Sequence, residues 1–69
     1  MTKELDLRTL LHIIDLESVV EIYDGNWELI IRATVQDVLL GDRQLLNREV
    51  LQLTPVHSAR ENYIELMVY

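Results

Sequence analysis

Residues 18–33 read SVVEIYDGNWELIIRA, and the fold turns on how this stretch alternates. Two apolar runs flank a polar DGN, the pattern of two strands joined by a tight turn. A loop of Gly25-Asn26, or of Asp24 to Trp27, sets Tyr23 opposite Glu28, Ile22 opposite Leu29 and Val20 opposite Ile31. One face is then Val20, Ile22, Leu29, Ile31 and Ala33, all apolar. The other is Val19, Glu21, Tyr23, Glu28, Ile30 and Arg32, which is mixed. A three-residue loop would set Tyr23 against Trp27 and bring Glu21 beside Leu29. Because a slip of one residue exchanges the two faces, an even-numbered loop is expected. Glycine at its first central position suits a type II′ turn. Trp27 then closes the edge of the core, its lesser reading being a contact residue, while Tyr23 lies on the mixed face.

Working outward, Leu7, Leu10, Leu11 and Ile14 recur at the spacing of one helical face, predicting a helix over 3–14. Thr2 caps it, or Asp6 if it begins later. After the hairpin, Thr34 is placed to cap a second helix, with Asp37 three residues on and Ala33 and Val38 as a staple across the cap. Gly41 is the expected stop in a left-handed conformation. DRQLLN (42–47) reads as a connection anchored by Leu45 and Leu46. REVLQLTPV and YIELMVY are two further strands, with Pro55 marking the end or the edge of the first. The expectation is one α+β domain over 1–69, of order α-β-β-α-β-β: a four-stranded antiparallel or mixed sheet with two helices packed on one face.

With 69 residues, 49% of them hydrophobic, and no cysteine, the chain has material for a core but no disulfide to staple it. Such a chain buries only about 60% of its unfolded surface. Self-association is the remaining way to bury more, so a homodimer is a natural expectation. The net charge of −6, with the six basic residues scattered among acids, argues against binding to nucleic-acid phosphates. Glu4, Asp6, Arg8, His12 and Asp15 interrupt the apolar clusters of the first residues. Neither a signal peptide nor the roughly 20 apolar residues of a membrane span is read there. A cytoplasmic protein is expected.

Catalytic chemistry finds little footing. His12 lies beside the polar side of the first helix, and His57 shares a loop with Glu61, one of each where a metal-binding helix needs two histidines. Asp15 with Glu17, and Glu21 with Glu28, are carboxylate neighbours without a pocket to split their pKa values. Ser18 and Ser58 lack a nucleophile's setting, and Gly25 and Gly41 make no phosphate-cradling loop. No catalytic, cofactor or metal residue is assigned, and no enzyme is expected.

The last strand is apolar on both sides, with Ile64, Leu66 and Val68 facing one way and Tyr63, Glu65, Met67 and Tyr69 the other. Either it is central with a helix over its second face, or that face is a contact. On the second reading the interface comprises Tyr63, Met67 and Tyr69, with Ile30 and Val19. It would meet a second copy or another protein, and an open strand edge would invite the same pairing.

The run RATVQDVLLGDRQLLNREVLQLTP, closed by YIELMVY, resembles small proteins of Gram-positive bacteria and their phages and prophages. The resemblance rests on this patterning and on the phrase LLNREV. It implies an accessory protein, encoded on a mobile element, and carries over no site residue. The function expected is therefore a non-enzymatic interaction or self-association module. The alternative is an acidic regulator that mimics or antagonises nucleic-acid binding.

Overall fold

The computed structural model describes residues 5–69. They form α1 (Leu7–Leu11), β1 (Val19–Tyr23), β2 (Leu29–Thr34), α2 (Val35–Leu39), α3 (Arg43–Leu46), β3 (Val50–His57) and β4 (Asn62–Val68). The α+β class holds and the sheet is mixed, in the order β2-β1-β4-β3. The two hairpins are antiparallel, and they join through a parallel pairing of β1 with β4. Among the described residues the helices are three rather than two. DRQLLN is no mere connection: the Asp42 carboxylate accepts from the Gln44 amide at 2.8 Å and starts α3.

The first helix is shorter than its periodicity suggested, because the residues before it are engaged elsewhere. Val50 donates to the Leu5 carbonyl at 2.8 Å and Leu7 to the Arg48 carbonyl at 2.9 Å, holding residues 5 and 6 extended beside the start of β3. Asp6 then caps α1, accepting from the Thr9 amide at 2.8 Å. The Thr9 hydroxyl and amide hold the Asp6 carboxyl below its ordinary pKa. The other cap candidate, Thr2, lies outside the described residues. Thr34 caps α2 as expected, its hydroxyl accepting from the Asp37 amide at 3.3 Å. Neither Gly25 nor Gly41 has a positive φ, which removes both the type II′ turn and the left-handed stop. Instead Leu40 ends α2 in right-handed geometry, and Gly41 donates back to the Val38 carbonyl at 3.1 Å.

The hairpin corrects the register. Its loop has three residues, Gly25 to Trp27, closed by the Asp24 amide on the Glu28 carbonyl and the Trp27 amide on the Asp24 carbonyl, both at 3.0 Å. The Asp24 carboxylate accepts from the Asn26 and Glu28 amides and so holds the turn. Tyr23 pairs with Leu29, yet Ile22 pairs with Ile31, so Ile30 is an extra residue bulged out of β2. That bulge undoes the odd loop. From Ile22 onward Val20, Ile22, Ile31 and Ala33 share one face, as hydrophobic alternation demanded, while Leu29 passes to the other. Deleting one of the two adjacent isoleucines, Ile30 or Ile31, leaves Tyr23 on Leu29 and Ile22 on an isoleucine with no bulge between. Urea denaturation is expected to show a stability change within about 1 kcal/mol, the range of benign substitutions.

The core is Leu7, Leu10 and Leu11 from α1, Val35 and Val38 from α2, Leu45 and Leu46 from α3, and Val20, Ile22, Leu66 and Val68 from the two central strands. Leu45 and Leu46 do anchor the chain, as expected. All the helical members meet one face of the sheet. The helix layer stops short of β3, where Leu53, opposite Leu66, is still 42% exposed.

Candidate functional site

The opposite face of the sheet carries Val19, Glu21 and Tyr23 on β1 and, paired with them in register, Tyr63, Glu65 and Met67 on β4. On the flanks, β2 brings Leu29 and Arg32 and β3 brings Gln52, Thr54 and Val56. No buried helical residue reaches this side, since all of them join the core cluster on the other. Thus β4 is central, as one reading had it, but among the described residues no helix covers its second face. Tyr63, Met67 and Val19 lie together on this open side, half-buried among their neighbours. Tyr69 lies beyond the strand and is 82% exposed, and Ile30 is the bulge residue. The structure therefore gathers three of the five expected contact residues on one surface and sets two at its margins.

Charge divides this surface into two ends. At one end Arg32 pairs with Glu21, which faces it across the β1–β2 ladder, and with Glu61 at 2.6 Å, and its guanidinium lies 5.1 Å from the centre of the Tyr63 ring. Among the described residues no other lysine or arginine makes an ion pair with a carboxylate. At the hairpin end the Tyr23 and Trp27 rings meet with centroids 5.6 Å apart, and beside them in register stand Met67 and Leu29. Trp27 does not close the core: it is 51% exposed, and Leu29 54%. The unbulged register had placed both on the core side, with a contact role for Trp27 as the lesser reading. The signal available was Asp24, which favours the first position of a type I turn and so moves the loop one residue later.

Trp27 is also held at φ 60°, the left-handed region. That conformation costs a residue with a Cβ roughly 1–2 kcal/mol, and Gly or Asn usually occupies it. A bulky aromatic stands there, half in solvent, its ring against Tyr23.

The Tyr23 hydroxyl donates to Glu21 at 2.6 Å. That hydrogen bond, with desolvation and the charges of Glu21 and Glu65, pushes the Tyr23 pKa up from 10.0 to about 12. Desolvation first, then Glu21 and Glu65, raise Tyr63 as well. A raised pKa means that the fold favours the protonated phenol. The stability this gives Tyr23 is whole below pH 10.0 and is lost as pH rises through about 12. The ultraviolet titration difference between the wild type and Tyr23→Phe is expected to show a tyrosinate step near pH 12, moving down in Glu21→Gln. A Tyr23 step at the ordinary tyrosine pKa would show that the hydrogen bond to Glu21 does not form.

The strand edges are interrupted. Pro55 sits within edge strand β3, which also bulges at Leu51, and edge strand β2 bulges at Ile30. A groove of about 240 Å³ opens at the far end of the sheet, lined by Ser18, Val19, Pro55, His57, Tyr63 and Ile64. His57 Nδ1 shares a hydrogen bond with Asn62 Oδ1 at 3.2 Å, and the lining is mostly apolar. Among the described residues no three His, Cys, Asp or Glu side chains converge to hold a metal ion, and no helix is long and apolar enough to cross a membrane.

Comparison of the chain with family models, with curated proteins and with solved structures finds no match. The likeness to phage and prophage proteins rests on the residues quoted for it alone.

Proposed function

We propose that this protein is a non-enzymatic interaction module that docks on another protein through the open face of its sheet, at the hairpin end. The observation that carries this reading is Trp27, held left-handed and half exposed against Tyr23 beside Leu29 and Met67. Aromatic and methionine side chains are the residues that dominate binding energy at such surfaces. The blunted edges favour the face over strand addition. The same proposal takes the chain as a cytoplasmic accessory protein of the phage or prophage kind.

Self-association is one form of the reading. Sedimentation at micromolar concentration tests it, and a monomer removes it. For a different partner, affinity capture with the wild type is compared with Met67→Glu, which places a charge amid the apolar residues. Loss of association or of captured protein is expected. If Met67→Glu changes neither, the face is not the contact surface. The reading as an acidic mimic of nucleic acid finds less support, because Glu21 and Glu61 are both drawn onto Arg32 rather than displayed in a row.

A further inference from the structure

A groove and an exposed aromatic tip stand at opposite ends of this molecule. The groove, of about 240 Å³, lies where β1 and β4 begin. Ser18, Asn62 and Ile64 fall on the helix side of the sheet by alternation, and His57 and Pro55 pair with Asn62 and Ile64 from β3. The groove therefore opens on the helix side, where the helix layer stops short of β3. An apolar cavity of about 150 Å³ takes a benzene molecule, and an indole has half as many ring atoms again. The space is that of one tryptophan side chain. Its polar end suits an indole too. Asn62 Oδ1 only accepts, so His57 Nδ1 carries the proton of their 3.2 Å hydrogen bond and Nε2 is left as an acceptor. An indole N–H only donates.

The chain's single tryptophan is Trp27, 51% exposed in the hairpin loop. It cannot reach its own groove. Val19 lines the groove and Tyr23 packs on Trp27, and they stand four residues apart on β1, roughly 13 Å. Only another copy can bring the two together, and charge favours the meeting. Asp24 and Glu28 bracket the tip and, among the described residues, pair with no cation. Arg60, in the loop that joins His57 to Asn62, pairs with no carboxylate, while its neighbour Glu61 is held by Arg32. Glu17 precedes Ser18 at the opposite wall, which leaves the Arg60 side to the acidic loop.

Resting on the docking function proposed above, we infer that the partner is a second copy of this chain, and that Trp27 of one copy seats in the groove of the next. The indole lies on Pro55 and Ile64 and donates to His57 Nε2, while Asp24 and Glu28 meet Arg60. Trp27 packs on Tyr23, on the open side of the sheet, whereas the groove opens on the helix side. A tip and a groove that face opposite ways do not share one two-fold interface. The contact runs head to tail and adds copies in steps rather than closing a dimer.

Sedimentation equilibrium from micromolar to millimolar protein, with tryptophan emission read on the same samples, tests this. The average mass is expected to pass that of a dimer, and the emission to move to shorter wavelength in step as the indole leaves water. Trp27→Gly removes the tip, sets at φ 60° the residue that adopts it freely, and should stay monomeric. Ser18→Phe fills the groove with a ring of its own chain and should stay monomeric too. Mixed, the first supplies a groove and the second a tip, and a complex of one of each, no larger, is expected. His57→Leu, at an exposed position, leaves the indole N–H unpaired and should weaken association about tenfold. 3-Methylindole, the bare side chain, should return the wild type to monomer. A wild type monomeric throughout, an emission that stays put as mass rises, or two variants that remain apart on mixing would each overturn the inference. Should it fall while Met67→Glu still strips a captured protein from the bait, the docking face stands and its partner is not a second copy.

Discussion

Leu66→Ala is expected to leave most of the protein unfolded at room temperature. Leu66 is fully buried, and its strand lies between β1 and β3, so it pairs with Ile22 on one side and Leu53 on the other. Truncating a buried leucine to alanine costs 2–5 kcal/mol, about 4–5 where rigid strands on both sides keep the site from collapsing. A chain of this size without staples has roughly 3–5 kcal/mol to lose. The circular dichroism signal should therefore lack a native baseline in the absence of urea. Leu53→Ala is the control: the same residue type on the same face, yet 42% exposed because the helix layer ends before β3. Its cost is expected near 1 kcal/mol, with a cooperative transition retained. If the two variants unfold alike, the core does not end where the helices do.

Leu11→Asp is expected to abolish folding outright. Leu11 is fully buried in the last turn of α1, and no polar or charged residue is buried among the described residues. A carboxylate there has no partner, and an unpaired buried charge costs several kcal/mol even after relaxation. Two residues along, Ile13 is 79% exposed, and Ile13→Asp should melt as the wild type does. Hydrogen exchange would show β1 and β4 unprotected in the first variant and protected in the second. A Leu11→Asp protein that keeps those amides protected would mean that α1 is not part of the core.

Alternation was legible wherever burial is one-sided and the chain is regular. Val20, Ile22, Ile64, Leu66 and Val68 read as the core face of two strands, and that is where they lie. Thr34 was legible as a cap because its chemistry is local: a hydroxyl three residues before an amide that no carbonyl of the helix accepts. Pro55 likewise spoke for an edge before any sheet order was known. The contact surface was half legible. Tyr63, Met67 and Val19 follow from the same alternation, whereas Trp27 and Leu29 depend on a loop whose length alternation leaves open.

An odd loop followed by a bulge places the same residues in the core from Ile31 onward as an even loop with none, and differs at Trp27 and Leu29. Hydrophobic patterning sees only the sum of the two, and the carboxylate of Asp24, capping its own turn, decides between them. Helix length escaped for a related reason. The spacing of Leu7, Leu10, Leu11 and Ile14 is helical, but the backbone at residues 5 to 7 finds partners in Arg48 and Val50, over forty positions away. Local sequence thus determined which residues are buried away from the hairpin tip, where the helix N-caps fall, and which charges stay in water, since each follows from a side chain and its near neighbours. The parallel meeting of β1 with β4, the third helix, the short first helix and the uncovered aromatic face were decided only by tertiary structure, because each depends on backbone groups distant in sequence finding one another's hydrogen bonds.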